Sequence, residues 1–283
     1  MIDVDRTVGD VLDEAAAELR AAGLEEPRRE AERLWGELRR EGRSAAILAR
    51  REPIGDADAG AYAAAVRRRA LGEPLAYVSG WCGFRRLELR IDRRALIPRP
   101  ETELLVELVL ARVSTGVVAD VGTGSGCIAL SLLDEGRFDR VYGIDRSAGA
   151  LALARENAAF VGKSPHFLRG SFTAALAHDA CDALVSNPPY LTEAEHAALE
   201  PAVRDWEPAL ALASGPDGMR ATREILTDGR RVVRPGGWIA LELDASRAAL
   251  AGHAAEKAGW TRVSIINDLF GRERYLLAQR SEA

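Results

Sequence analysis

Apolar positions along this chain change their period twice. Over the first quarter they recur at helical spacing. Val8, Val11, Leu12, Ala15, Leu19 and Ala22 form one stripe, and Gly23 stops it. A second stripe, Ala31, Leu34, Trp35 and Leu38, lies within residues 26–40, with Pro27 near its start and Gly42 beyond its end. Ser44 can cap a short third helix through Ala49, and an alanine-rich fourth covers 56–71 and closes at Gly72. Charged residues fill the outer positions, so residues 1–75 predict a small helical bundle. That bundle holds neither histidine nor cysteine, and no catalytic motif.

From 81 to 97 the period shortens to two. Phe84, Leu87, Leu89 and Ile91 alternate with arginines, which predicts a hairpin inside a linker spanning 76–100. Beyond it, in 101–283, strand and helix patterns alternate. Strands are expected at 117–121, 141–144, 166–168, 182–185 and 238–243, the last after a Pro235-Gly236-Gly237 turn, and at 262–266 and 274–278. Helices are expected at 128–133, 148–160, 218–233 and 246–258. Repeated βα units imply a mostly parallel, seven-stranded sheet covered on both faces. Only residues 267–273 separate the last two strands, too few for a crossover helix, so these two should pair antiparallel.

Composition narrows the partners. The net charge of −5 disfavours broad binding to a phosphate backbone. The clusters Arg67-Arg68-Arg69, Arg85-Arg86 and Arg93-Arg94 read as solvated helix or hairpin faces, with a local patch facing RNA or a protein partner as the alternative. No apolar run approaches the roughly 18 residues that span a bilayer. Residues 1–6 lack the basic and apolar regions of a secretion signal. Cys82, Cys127 and Cys181 are too far apart for disulfide or metal spacing. A cytoplasmic protein without a metal is expected, and His166, His178, His196 and His253 fall in no motif.

Two short motifs carry the chemistry. Asp120-Val121-Gly122-Thr123-Gly124-Ser125-Gly126 stands where the first strand of the sheet turns into a helix. Its glycines admit positive φ and close approach of a ligand, and such loops bind nucleotide-like cofactors at the carboxyl edge of an open sheet. Asp145 ends the next strand, where a carboxylate can accept both hydroxyls of a ribose. Cys127 occupies the last glycine position of a dinucleotide fingerprint, and no Gly-Lys-Ser/Thr follows, so neither that motif nor a P-loop is present.

The second motif is Asn187-Pro188-Pro189-Tyr190, at the end of the strand 182–185. Two prolines stiffen the backbone and remove two N–H donors. What remains is a rim of carbonyl oxygens, the Asn187 amide and one aromatic face. That rim suits a planar group bearing an NH2, so transfer to an amide or amino nitrogen is the expected reaction. An ordinary Asn-Pro turn is the bland alternative. A rival enzyme reading is a nucleic-acid amino methyltransferase gripping a flipped base, against which stand the acidic chain and the lack of a target-recognition domain. A non-catalytic assembly protein on a decayed fold is the third reading, opposed by the intact loop, Asp145 and Asn-Pro-Pro-Tyr occurring together.

The chain resembles the protein-(glutamine-N5) methyltransferases that modify class I peptide chain release factors. The resemblance rests on Pro98-Arg99-Pro100-Glu101-Thr102-Glu103, the glycine loop, Ser186 with Asn-Pro-Pro-Tyr, Glu207-Pro208-Ala209-Leu210, and Asp268-Leu269-Phe270-Gly271-Arg272-Glu273-Arg274. Pro74-Leu75-Ala76-Tyr77, Gly80 and Phe84 match the family's linker. The resemblance implies an α/β, Rossmann-like class I methyltransferase fold with an N-terminal helical domain, 1–75, that docks the protein substrate. It implies S-adenosylmethionine as cofactor, held by Asp120, Gly122, Thr123, Gly124, Ser125, Gly126 and Asp145, with Phe172 beside the adenine. Asn187 would touch both cofactor and substrate, and Pro188, Pro189 and Tyr190 would complete the glutamine pocket. Asn187, Pro188 and Tyr190 would carry catalysis, while Arg99 and Glu101 shape a lid. The implied partner is a class I release factor presenting a Gly-Gly-Gln loop, without membrane or stable nucleic-acid binding. One departure stands out: Asp244 and Arg247 replace the small and amide residues of the family pattern.

Overall fold

The structure, a computed structural model, describes residues 6–282. Residues 1–5, most of the segment read above for a secretion signal, lie outside the described residues. The described chain forms two compact units. One runs up to Trp81 and includes Pro201–Trp206; the other comprises Cys82–Glu200 and the chain from Glu207 onward.

The first unit contains α1 (Val8–Ala21), α2 (Pro27–Arg39), α3 (Arg43–Leu48), α4 (Asp56–Ala70) and α5 (Leu75–Ser79). Thr7 and Asp10 close a reciprocal capping box that satisfies two of the orphan donors at the start of α1. Pro27 opens α2, where its missing N–H costs nothing, and Arg40 ends it in the left-handed region. The stripes meet in one core: Leu12, Leu19, Leu34 and Val66 are at most 1% exposed, each burial stabilising by about 1.5–3 kcal/mol. Tyr62 stacks edge-on against Trp35 and donates its hydroxyl to the Ala31 carbonyl at 2.8 Å.

The second unit opens with the hairpin of β1 (Trp81–Phe84), which starts at the boundary, and β2 (Leu87–Arg90). Then follow α6 (Pro100–Leu110), β3 (Thr115–Val121), α7 (Cys127–Glu135), β4 (Arg137–Asp145), α8 (Ala148–Val161) and β5 (His166–Arg169). Next come β6 (Cys181–Ser186) and α9 (Glu193–Ala197); the single turn that follows, α10 (Pro201–Arg204), belongs to the first unit. The chain ends with α11 (Arg220–Val232), β7 (Val233–Glu242), α12 (Ala248–Lys257), β8 (Thr261–Asn267) and β9 (Glu273–Gln279). Seven strands form one sheet in the order β5-β4-β3-β6-β7-β9-β8, parallel except that β9 runs antiparallel between β7 and β8. Strand alternation splits the core in two. Leu184, Ile239, Leu241 and Leu276 face one layer of helices, while Ala183, Val185, Ala240 and Leu277 face the other.

Three features differ from the sequence reading. The Pro235-Gly236-Gly237 stretch is no turn ahead of a strand but a wide bulge inside β7, where Cys181 pairs with Val233 and Ala183 already pairs with Trp238. Gly236 takes φ 77° there, and the Gly236 N–H donates to the Arg280 carbonyl at 2.9 Å. The segment 76–100 is not a linker throughout, since its hairpin buries Phe84 and Leu89 in the core of the second unit. The arginine clusters are largely engaged by acids: Arg68 with Glu73, Arg69 with Glu30, Arg85 with Glu135, and Arg94 with Asp92 and Glu156. No described helix is long and apolar enough to cross a membrane.

Candidate active site

Strand order reverses between β3 and β6, so the loops leaving their carboxyl ends diverge and open a crevice, as in other open α/β sheets. A cleft of about 1150 Å³, its open mouth included, lies there. Gly122, Thr123, Gly124, Ser125, Asp145, Phe172, Asn187 and Pro189 all line it. Asp120, Gly126, Pro188 and Tyr190 do not.

The glycine loop owes its shape to left-handed backbone. Gly122, Gly124 and Gly126 have φ 77°, 55° and 85°, a region that side chains other than glycine rarely tolerate. A Cβ on Gly126 would also sit 3.3 Å from Ala154 and Leu130. Asp120 lies fully buried beneath the loop rather than in the cleft. It accepts from the Thr123 hydroxyl at 2.6 Å and the Ala129 N–H at 3.2 Å, which pins the loop to the start of α7. Its other oxygen, Oδ1, is buried without a hydrogen-bond partner. Burial pushes the Asp120 carboxyl up to about 7, against the pull of those two donors. Asp145 accepts from the Gly124 N–H at 3.0 Å and the Ser147 N–H at 2.8 Å, and each oxygen keeps further lone pairs. Phe172, half-buried, adopts φ 46°, a strained conformation of the kind concentrated at ligand sites.

Asn187 leaves the end of β6 and donates from Nδ2 to the Thr102 hydroxyl at 3.0 Å. Thr102, in the first turn of α6, donates in turn to Glu242 Oε2 at 2.7 Å. Tyr190 is half-buried; desolvation and the nearby Glu242 charge push its phenol up to about 12, so it stays neutral near pH 7.

The structure gives several residues around the site partners that the sequence did not announce. Glu207, 5% exposed, accepts from the Ile97 N–H at 3.1 Å and from Arg99 at 2.6 Å, so two separate motifs become one wall. Arg99 lines the cleft, while Glu101 offers its backbone carbonyl to the Tyr275 hydroxyl at 2.6 Å. Buried Asn157 donates to the Ser125 and Arg90 carbonyls and accepts from the Arg90 N–H, tying the glycine loop to β2. Arg247, a departure from the family pattern, is 7% exposed and bridges Glu195, Asp244 and the Asp217 carbonyl. It braces the chain that follows Tyr190. The sequence marked Arg247 as a departure from the family pattern but gave no sign of these partners.

Two family models match the chain: the PrmC N-terminal domain over residues 10–80 and the methyltransferase small domain over 100–205. The release factor glutamine methyltransferase of Moorella thermoacetica is 40% identical over 98% of this chain and 99% of its own length. The chain belongs to the release factor glutamine methyltransferase family. The Deinococcus radiodurans member of the family is likewise 40% identical, over 96% of this chain and 98% of its own. Among solved structures, a Pyrococcus furiosus methyltransferase matches at TM-score 0.53 with 18% identity, over 69% of this chain and 89% of that one. A Thermus thermophilus 16S rRNA methyltransferase matches at TM-score 0.50 with 18% identity, over 71% of this chain and 49% of that one. These two likenesses show the class of fold.

Proposed function

We propose that this chain transfers a methyl group from S-adenosylmethionine to the side-chain amide nitrogen, N5, of the glutamine in the Gly-Gly-Gln loop of class I peptide chain release factors. The observation that carries this reading is the cleft in which the glycine loop, Asp145 and Asn187 share one rim. Support also comes from relatives that bear this activity in their names and match nearly end to end.

The residues present fit the cofactor. Gly122, Thr123, Gly124 and Ser125 offer backbone to its methionine portion, Gly126 shapes the loop behind them, and Asp145 takes the ribose hydroxyls. Asp120, with one buried oxygen unmatched, lends negative potential from beneath to a cationic ligand. Phe172 flanks the adenine. When bound, S-adenosylmethionine supplies an electrophilic methyl on a sulfonium.

Glutamine's amide nitrogen is a weak nucleophile because its lone pair is delocalised into the carbonyl. Asn187 Oδ1 and the Pro188 carbonyl accept its two N–H bonds, and Pro189 and Tyr190 close the pocket around the amide plane. This holds the nitrogen in place and favours partial pyramidalisation, so catalysis is positioning by fixed dipoles. No side chain is asked to act as a base, since the proton leaves once the nitrogen carries the methyl. The helical unit docks the release factor.

Labelled S-adenosylmethionine incubated with purified class I release factors tests the reading, with a Gln→Ala loop variant and duplex DNA alongside. Label that appears on the release factor and vanishes in the loop variant is expected. Label on DNA alone, or none, would refute the assignment.

A further inference from the structure

We infer that Thr102 and Glu242 set the direction of the Asn187 amide, and so act as positioning residues for methyl transfer. The inference rests on the function proposed above.

An asparagine side chain can present either its oxygen or its nitrogen to a ligand, and the two poses differ by a half-turn of similar shape. Only the oxygen can accept from an incoming NH2; the reversed pose would set donors against donors. The choice therefore belongs to whatever holds the other end of the amide. Here that is the Thr102 hydroxyl, which owns a single hydrogen. An ionised Glu242 can only accept. The hydroxyl hydrogen is thus committed to Glu242 Oε2 at 2.7 Å, and Thr102 Oγ must accept from Asn187. Nδ2 is the one atom of the amide that can donate to it, at 3.0 Å. Oδ1 is left for the cleft that Asn187 lines.

Burial makes this relay strict. Thr102 is 3% exposed and Glu242 1%, so bulk water offers neither a substitute partner. The three residues come from three elements, the start of α6, the end of β6 and the end of β7. The charged and titratable groups acting on Glu242 are Arg99, just before α6, Glu101 from α6, Tyr190 from the turn after β6, and Arg274 and Tyr275 from β9, with Asp268 paired to Arg274. Arg274 and Arg99 favour the carboxylate, Glu101 opposes it, and burial opposes it most, which raises Glu242 to about 7. Once protonated, Glu242 can donate to Thr102. The threonine hydrogen is then free to turn toward Asn187, and the reversed amide becomes as good as the native one. Turnover should therefore fall on the acid side as Glu242 takes up its proton, although a glutamine amide has no pKa in that range.

The test is kcat for release factor methylation by the full-length chain between pH 5.5 and 9, with cofactor affinity measured by calorimetry. Thr102→Val keeps the shape and loses the hydroxyl; it should lower kcat on the order of 10²-fold at unchanged cofactor affinity. Thr102→Ser restores the hydroxyl and should return kcat to within about threefold of the parent. Glu242→Gln can both donate and accept, and should remove the acid limb of the pH profile. Parental kcat in Thr102→Val, or an acid limb that persists in Glu242→Gln, would overturn the inference. A parent enzyme that transfers no methyl to the glutamine would overturn the proposed function, and the inference with it.

Discussion

Asp145 and Asn187 sit on one rim but should fail in different ways. Asp145→Ala removes a carboxylate whose charge-assisted hydrogen bonds are worth about 1.5–3 kcal/mol, so calorimetry should show cofactor affinity weakened by roughly 10- to 100-fold. Asn187→Ala should instead lower kcat by about 10²–10³-fold while cofactor affinity stays within about threefold. Near-normal turnover in that variant would remove Asn187 from the mechanism. Glu242 adds a stability prediction. Its carboxyl rises from 4.5 to about 7 in the fold, so the folded state holds its proton more tightly than the unfolded chain does. Stability from this group is present below pH 4.5 and is lost as pH climbs through 7. Glu242→Gln cannot ionise, and should outlast the parent by on the order of 3 kcal/mol above pH 7 but not below 4.5. Urea unfolding at pH 4.5 and 8 checks this; a constant gap would refute it. At this scale the glycine loop, Asp145 and Asn187 were legible because each motif is local. Thr102 and Glu242 were not seen as partners, because 140 residues separate them and only the sheet brings them together.

Among the elements, strands β3, β4, β6 and the second half of β7 were legible as short apolar runs, the mark of strands buried on both faces. The first half of β7 was not, since proline and glycines signal a turn whether they end a strand or bulge within it. The placement of β9 between β7 and β8 was also invisible, as pairing order is not a local property. Gly218 illustrates what the connections demand. It takes φ 72°, and a Cβ there would lie 2.2 Å from the Tyr190 carbonyl and 2.4 Å from Arg247. Gly218→Ala should cost about 3 kcal/mol and displace the turn after β6. A lowered melting temperature together with reduced kcat is the expected pair. Loss of stability with parental turnover would mean that Tyr190 does not depend on this contact.

The molecule as a whole holds one arrangement that nothing local announced. Pro201–Trp206 belongs to the helical unit although the sheet claims the residues on either side of it. The ring nitrogen of Trp206 would stand 3.8 Å from a Cβ on Gly72, a neighbour far away in the sequence. A chain of residues 82–283 should still bind S-adenosylmethionine, because every residue lining the cleft lies in the second unit. If the helical unit docks the release factor, that fragment should methylate it far more slowly, by at least about tenfold in kcat/KM. Equal rates for fragment and full chain would count against docking by the helices. The hexapeptide also bears on how such proteins can be reassembled. The chain passes between its two units three times, at 81/82, 200/201 and 206/207, so they are not beads joined by one cuttable thread. Recombination at a single junction could not exchange the helical unit for another: the sheet unit would carry Trp206 into a bundle with no seat for it. If the bundle docks the client protein, a change of client is therefore more accessible through substitutions on its outer face than through its replacement.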